Sequence, residues 1–354
     1  MKKSFFINGG AGRVLCAIPA LEHYKKHVDP DVVIIAEAWH ELFLTSASLR
    51  NSVYPMGHKG LFQDKLIDTE MISPEPYRLN AYFNQKCNMI QAFDMLINEN
   101  TEEIPDTKSF DLTISRDDQA FGHNTVRQIK AQFQKDKAVI FQPLGSGAKV
   151  NGDFLIDDSG RSFEVKDIVT IVTELSKHYA VIMMTNIDIP VQQPMGAAIP
   201  QANILQWMGI VNACDYFLGC DSMGQHYAHA LGKPATVVIG STFPTNISYP
   251  GNKNFTVIDN GKELGREYNP FRITQDWDVN RSNEDMMVMT DKRVKEVIKS
   301  VTNKLGLSKQ SKQPTQSNSV SAPNTDMIKQ AVAEMSNKNK EKSNQPFAVL
   351  NQNK

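Results

Sequence analysis

The chain has 354 residues, 41% of them hydrophobic, enough for two domains with cores of their own. Its formal net charge is −1, which excludes a globally basic nucleic-acid binder, and no window reaches the ~20 apolar residues of a membrane span. Cys16, Cys87, Cys214 and Cys220 form no CxxC pair and have no histidine at metal-ligand spacing, so they read as buried free thiols of a reducing compartment.

The opening residues Lys2, Lys3, Phe5, Phe6 and Ile7 faintly resemble a signal peptide, but Asn8, Gly9, Gly10, Gly12 and Arg13 interrupt any apolar region. A cytoplasmic protein without stable membrane insertion is expected. Residues 4–7 predict a strand, 9–12 a tight loop, and 14–27 a helix with Leu15, Ile18, Leu21 and Tyr24 on one face. A strand at 32–36 and a helix at 41–49 follow. Pro74 and Pro76 break a looser stretch. Residues 79–98 read as one long helix, 112–115 as a strand and 126–135 as a helix.

A second alternating series then begins. Residues 139–142 predict a strand, 143–160 a Gly- and Asp-rich loop, 164–177 a helix, 181–185 a strand and 205–213 a helix. The best-defined unit comes next. A strand at 216–219 leads to Asp221 and Ser222 as an N-cap, a helix runs to Leu231, Gly232 stops it, and 235–239 is the next strand. A strand at 255–258 and a helix at 285–305 close the series.

Such alternation predicts an α/β chain with parallel sheets and helices on both faces. The expected domains are Rossmann-like: residues 1–136, then 137–306, with the last helix able to pack back on the first domain. Residues 306–354 hold 7 Lys against 3 Asp/Glu, leaving a mildly acidic body with a charge of −5. Residues 307–354 are rich in Ser, Asn, Gln and Lys and predict a disordered tail. Within it, 325–335 could form a brief amphipathic helix, and 346–350 is an apolar island.

Several residues could carry chemistry. The loop of Gly9, Gly10 and Gly12 lets backbone approach a ligand, yet lacks a GxGxxG spacing and a Walker lysine, so a plain tight turn is an equal reading. The second loop contains Gly145, Ser146 and Lys149. With Arg161 it could hold a phosphate, or be a flexible loop with a solvated lysine. Asn186 and Asp188 follow a predicted strand, where a carboxylate can accept from ribose hydroxyls or merely form a turn. Ser222 and the N–H groups of Met223 and Gly224 open a helix and suit an anion. Asp221 repels phosphate and suits a sugar hydroxyl or a capping role. His226, one turn beyond Ser222, could donate to a diphosphate or a leaving oxygen, or be a satisfied structural group, and its place beside the anion site favours the first. His229 faces elsewhere and reads as structural.

The stretch CDSMGQHYAHALGKPATVVIGSTFP resembles the second-domain signature of the heptosyltransferase-like glycosyltransferases of family 9, which have the two-domain GT-B fold. Asp221, Ser222, His226, Ala228, Ala230, Leu231, Gly232, Pro234, Gly240, Thr242 and Pro244 fit that signature. Met223 is either inserted before the usual glycine or replaces it. INGGAGRVLCAIPALEHY resembles the family's opening strand–loop–helix, and RSFEVKDIVTIVTELSK its basic-residue–helix block. The resemblance is scattered over residues 4–245.

It implies a metal-independent, inverting transfer of a sugar from a nucleotide-diphosphate donor, with no further cofactor. The donor would sit on the second domain, its diphosphate met by Ser222, Arg161 and Lys149. A base on the first domain would deprotonate the acceptor hydroxyl. The family's acid in the first loop corresponds to Arg13 here, and a guanidinium is no base at neutral pH. Glu37, Asp117 and Asp118 are the replacement candidates. Alternatively Arg13 binds an anion, or the protein binds without catalysing. A silent nucleotide-sugar or glycan binder and a GT-B epimerase or hydrolase are the competing readings. The acceptor could be a glycan, a lipid-linked saccharide, a protein or a modified nucleic acid.

Overall fold

β1 (Lys2–Ile7) feeds directly into α1 (Ala11–His27), then β2 (Val33–Ala36), a 3-10 turn (His40–Thr45), β3 (Val53–Pro55) and β4 (Thr69–Ile72). The four strands make one parallel sheet in the order β3-β2-β1-β4, with Phe5 paired to Ile34 on one side and to Ile72 on the other. α1 buries Val14, Leu15, Ile18 and Leu21 and packs against α3 (Met89–Ile97). This computed structural model describes residues 2–152, 154–185, 187–190, 196–267 and 285–307. The predicted tail with its helix and apolar island, and Asn186, lie outside the described residues.

The single helix expected at 79–98 is two pieces. α2 (Asn80–Phe83) ends near Gln85, whose φ of 58° is left-handed, and α3 starts afresh behind Asn88. Asn88 and Gln91 form a reciprocal capping box, which satisfies the new helix's first N–H groups. The strand expected at 112–115 is also absent. Leu112 makes only an isolated bridge to Ser46, and Ser115 caps α4 (Arg116–Phe133) through the N–H of Asp118. The helix expected at 126–135 therefore begins ten residues earlier.

The second sheet contains β5 (Ala138–Gln142), β8 (Ala180–Met183), β9 (Ala197–Ala198), β10 (Tyr216–Cys220), β11 (Ala235–Ile239) and β12 (Phe255–Asp259). All are parallel, in the order β12-β11-β10-β5-β8-β9. Between β5 and β8 a hairpin of β6 (Ala148–Asn151) and β7 (Phe154–Asp157) precedes α5 (Val165–Ser176). β5, β10 and β11 are buried at every position, as a parallel sheet covered on both faces requires. α6 (Ile204–Ala213), α7 (Met223–Ala230), the short α8 (Pro244–Ile247) and α9 (Asn260–Glu263), and α10 (Asp291–Leu305) complete the α-helices among the described residues. All four cysteines are free and buried.

Two packing facts bear on the domains read from sequence. α4 packs on α6 and β8, and α10 packs on α5, β10 and β11. At the α4–α6 crossing the helices touch through glycines: a Cβ on Gly209 would lie 2.1 Å from the Asp118 carbonyl oxygen. The two sheets belong to one unit, Met1–Ser308. α1 meets α7 directly, and the Asn246 side chain donates to the Tyr82 carbonyl at 2.9 Å and to that of Cys87 at 3.1 Å.

Candidate active site

The C-terminal ends of both sheets open on one cavity of about 1010 Å³. Residues after β1 (Asn8 to Arg13) and β2 (Glu37, Trp39) form one wall, together with Glu75 and Tyr77. Residues after β5, β8, β10 and β11 form the other. Strand C-termini are where parallel sheets leave side chains and backbone free for ligands.

The second wall is built around Arg161. Its guanidinium donates to Ser146 Oγ at 2.6 Å and to the Asp221 carbonyl at 3.1 Å, with Asp221 Oδ2 at 3.8 Å. Burial is the strongest single influence and works against the charge, but Asp221, Cys220, Asp157 and Tyr77 together outweigh it and raise the Arg161 pKa. Asp221 is itself pushed up by burial, against the pull of Arg161, Thr242 and Gln225. Its two oxygens accept from Gln225 Nε2 and Thr242 Oγ1, both at 2.9 Å. Asp221 makes no helix cap: Ser222 is the N-cap residue of α7.

Asp157 shapes the glycine loop. It accepts from the N–H and Oγ of Ser159 and of Ser162, and from the Arg161 N–H. Burial opposes its ionisation, yet these hydrogen bonds win and lower its pKa. Gly145 and Gly147 fit because a Cβ there would lie 2.7 Å from Ser159 Oγ and from Asp157 Oδ1, respectively.

Gln142, at the end of β5, was not singled out in the sequence. Its amide donates to Ser222 Oγ at 3.0 Å and accepts from the Gly224 N–H at 2.8 Å. The Gly224 N–H is therefore already bonded, which corrects its assignment to a phosphate. Ser222 and Met223 line the cavity, with Gly145, Ser146 and Arg161. Lys149 does not: it lies on the exposed hairpin and pairs with Asp158 at 2.6 Å. Asp188 is exposed and also outside the cavity lining.

His226 spans the two halves. Its Nδ1 is 2.7 Å from Tyr249 Oη and 3.5 Å from Cys16 Sγ, and a Cβ on Gly12 would lie 3.2 Å from its Nε2. Burial, then the charges of His229 and Arg161, lower its pKa to about 3, so the ring is neutral. His229 stacks on Tyr249 with centroids 3.6 Å apart, away from the cavity, and burial lowers its pKa to about 4.

On the first wall both terminal nitrogens of Arg13 are engaged, while its buried Nε has no hydrogen-bond partner. Nη1 donates to Glu75 Oε1 at 3.0 Å, and Nη2 donates to Glu75 Oε2 at 3.2 Å and the Pro74 carbonyl at 3.1 Å. The guanidinium also lies 5.1 Å from the Tyr77 ring centroid. Glu37 is exposed at the cavity edge and accepts from the Gly9 N–H at 3.1 Å. Gly9 has a φ of 91°, and Gly10 and Gly12 also line the space. Asp117 and Asp118 stand apart, in the first turn of α4 and outside the cavity lining. Among the described residues no group of three or more His, Cys, Asp or Glu gathers at metal-binding distance.

No protein-family model matches the chain, and no curated protein matches it in sequence. Its fold is similar to that of the glycosyl transferase family 9 protein from Veillonella parvula DSM 2008. That pair has a TM-score of 0.57 at 10% identity, over 86% of this chain and 98% of that one. It is also similar to the iron-containing dodecameric glycosyltransferase TibC from enterotoxigenic E. coli H10407, with a TM-score of 0.55 at 12% identity, over 86% and 77% of the chains. TibC in complex with ADP-D-beta-D-heptose gives a TM-score of 0.51 at 11% identity over the same shares. The likeness is one of fold, and it defines the class: an α/β protein of the GT-B type, as the resemblance in sequence implied.

Proposed function

We propose that the chain is a glycosyltransferase that moves a sugar from a nucleotide-diphosphate donor to an acceptor hydroxyl. One observation carries this reading. Arg161, Ser146 and Ser222 from the second sheet share a cavity with Glu37 from the first. An anion-binding wall and an acidic wall are what the reaction needs on opposite sides of an anomeric carbon.

In this reading Arg161, the Ser222 hydroxyl and the Met223 N–H receive the diphosphate. Glu37 takes the proton of the acceptor hydroxyl as its oxygen bonds to the anomeric carbon. The bond to the diphosphate oxygen breaks, and its electron pair leaves with the nucleotide. Attack opposite the leaving group inverts the anomeric centre. His226 is neutral and acts as a hydrogen-bond donor to the diphosphate, from Nε2, when Nδ1 accepts from Tyr249. The charge on the departing group is met by Arg161, and no metal is assigned.

The test is nucleoside-diphosphate release from nucleotide sugars. Glu37→Gln should lower kcat about 10²-fold or more while donor affinity stays within twofold. The Arg13–Glu75 pair, standing where the family's first-loop acid would be, favours a second reading: a nucleotide-sugar binder without transfer. That reading predicts donor binding but no acceptor-dependent release in the wild type.

A further inference from the structure

Trp39 occupies a position that neither folding nor capping explains. Its φ and ψ are 59° and 29°, the left-handed region that bulky residues avoid. The strain is not repaid by burial, because the residue is 41% exposed. It precedes the 3-10 turn His40–Thr45 without a side-chain cap, and only its carbonyl is used, by the Leu42 N–H at 3.0 Å. Instead Trp39 lines the cavity two residues from Glu37. Strained backbone beside a ligand space points to a side chain placed for contact.

The charge of this wall is equally specific. Its charged lining residues are Arg13, Glu37 and Glu75. Both terminal nitrogens of Arg13 are committed to Glu75 and Pro74. Glu37 uses one oxygen for the Gly9 N–H, and a carboxylate can only accept. On this wall an anionic acceptor would meet the Glu37 carboxylate, while the one guanidinium of the wall is held in its pair with Glu75 and Arg161 belongs to the opposite wall.

We infer that the acceptor is an uncharged sugar, its apolar face stacked on Trp39 and a hydroxyl donating to Glu37. An indole face attracts the weakly positive C–H edge of a pyranose, and the carboxylate takes its hydroxyl. This rests on the transfer reading above. A glycan end and a lipid-linked saccharide present the same chemistry.

The experiment is saturation-transfer NMR with the full chain, with and without ADP or UDP. The probes are methyl glycosides of glucose, galactose, mannose and N-acetylglucosamine, with the matching sugar 6-phosphates. At least one methyl glycoside should bind, tenfold or more tighter than its phosphorylated counterpart. Trp39→Ala should weaken it about tenfold, and Trp39→Phe, which keeps a ring, about twofold. Glu37→Gln should erase most of the discrimination against the phosphate. An octyl glycoside binding more tightly than the methyl form assigns a lipid-linked sugar, and equal binding a glycan end. Preference for the 6-phosphates, unchanged binding in Trp39→Ala, or no binding of any probe overturns the inference. Nucleotide binding in the same samples separates the failures: if it persists only the acceptor assignment falls, and if it too is absent the transfer reading falls.

Discussion

Arg13 and Glu75, 62 positions apart, meet as a two-pronged ion pair, with Nη1–Oε1 at 3.0 Å and Nη2–Oε2 at 3.2 Å. The Arg13 side chain is 10% exposed and that of Glu75 30%. The pair ties the first turn of α1 to the segment before α2. It also commits both terminal nitrogens of Arg13 to protein acceptors.

Breaking one partner of such a pair strands the other charge. Glu75→Gln should destabilise the fold by about 2 kcal/mol, less than for a fully buried pair because Glu75 keeps some solvent. Arg13→Met together with Glu75→Met should recover much of the loss. A double-mutant cycle from urea unfolding checks the coupling, and strictly additive losses would remove the pair from the account.

Arg161 organises the opposite wall. Arg161→Ala should weaken nucleoside-diphosphate binding about 10- to 100-fold, the worth of charge-assisted hydrogen bonds. Arg161→Lys should restore only part of it, since a single ammonium nitrogen replaces the two guanidinium nitrogens that reach Ser146 and the Asp221 carbonyl separately. Calorimetry with ADP and UDP reads both.

The buried histidines set a pH dependence. His226 and His229 have native pKa values lowered to about 3 and about 4 from 6.5. As pH falls below 6.5 the unfolded chain takes up protons that the native state refuses, so stability falls with pH. The slope is at most about 1.4 kcal/mol per pH unit for each histidine. Urea midpoints should be lower at pH 5 than at pH 7, and His226→Gln should remove about half of the difference. Equal midpoints in the wild type would contradict the buried neutral rings.

The glycine crossing of α4 and α6 has no slack. In Gly209→Ala the new Cβ would sit 2.1 Å from backbone oxygen, which no side-chain rotation relieves. A loss of about 3 kcal/mol is expected, with the melting temperature as readout.

What could be read in the sequence was whatever is local. Gly232 and Pro234 mark the end of α7 and the start of β11, and Asp221 to Thr242 place the site's second wall at strand ends. The break at Gln85 and the Asn88/Gln91 box were readable too, but the apolar residues across 79–98 masked them. The Ser115 cap was hidden because the first turn of α4 is polar and exposed. Long-range partners leave no local signal: Glu75 beside Arg13, and Gln142 beside Gly224, are brought together only by the sheets. Trp39 carries its information in a backbone angle, which composition does not encode.

The central claim is that the cavity between the two sheets takes a nucleotide-diphosphate sugar. Titration of the full chain with a panel of nucleotide sugars tests it most directly. The account predicts one-to-one binding of at least one of them, weakened tenfold or more in Arg161→Ala and preserved in Glu37→Gln. Binding of none, or the same affinity in Arg161→Ala as in the wild type, would contradict it.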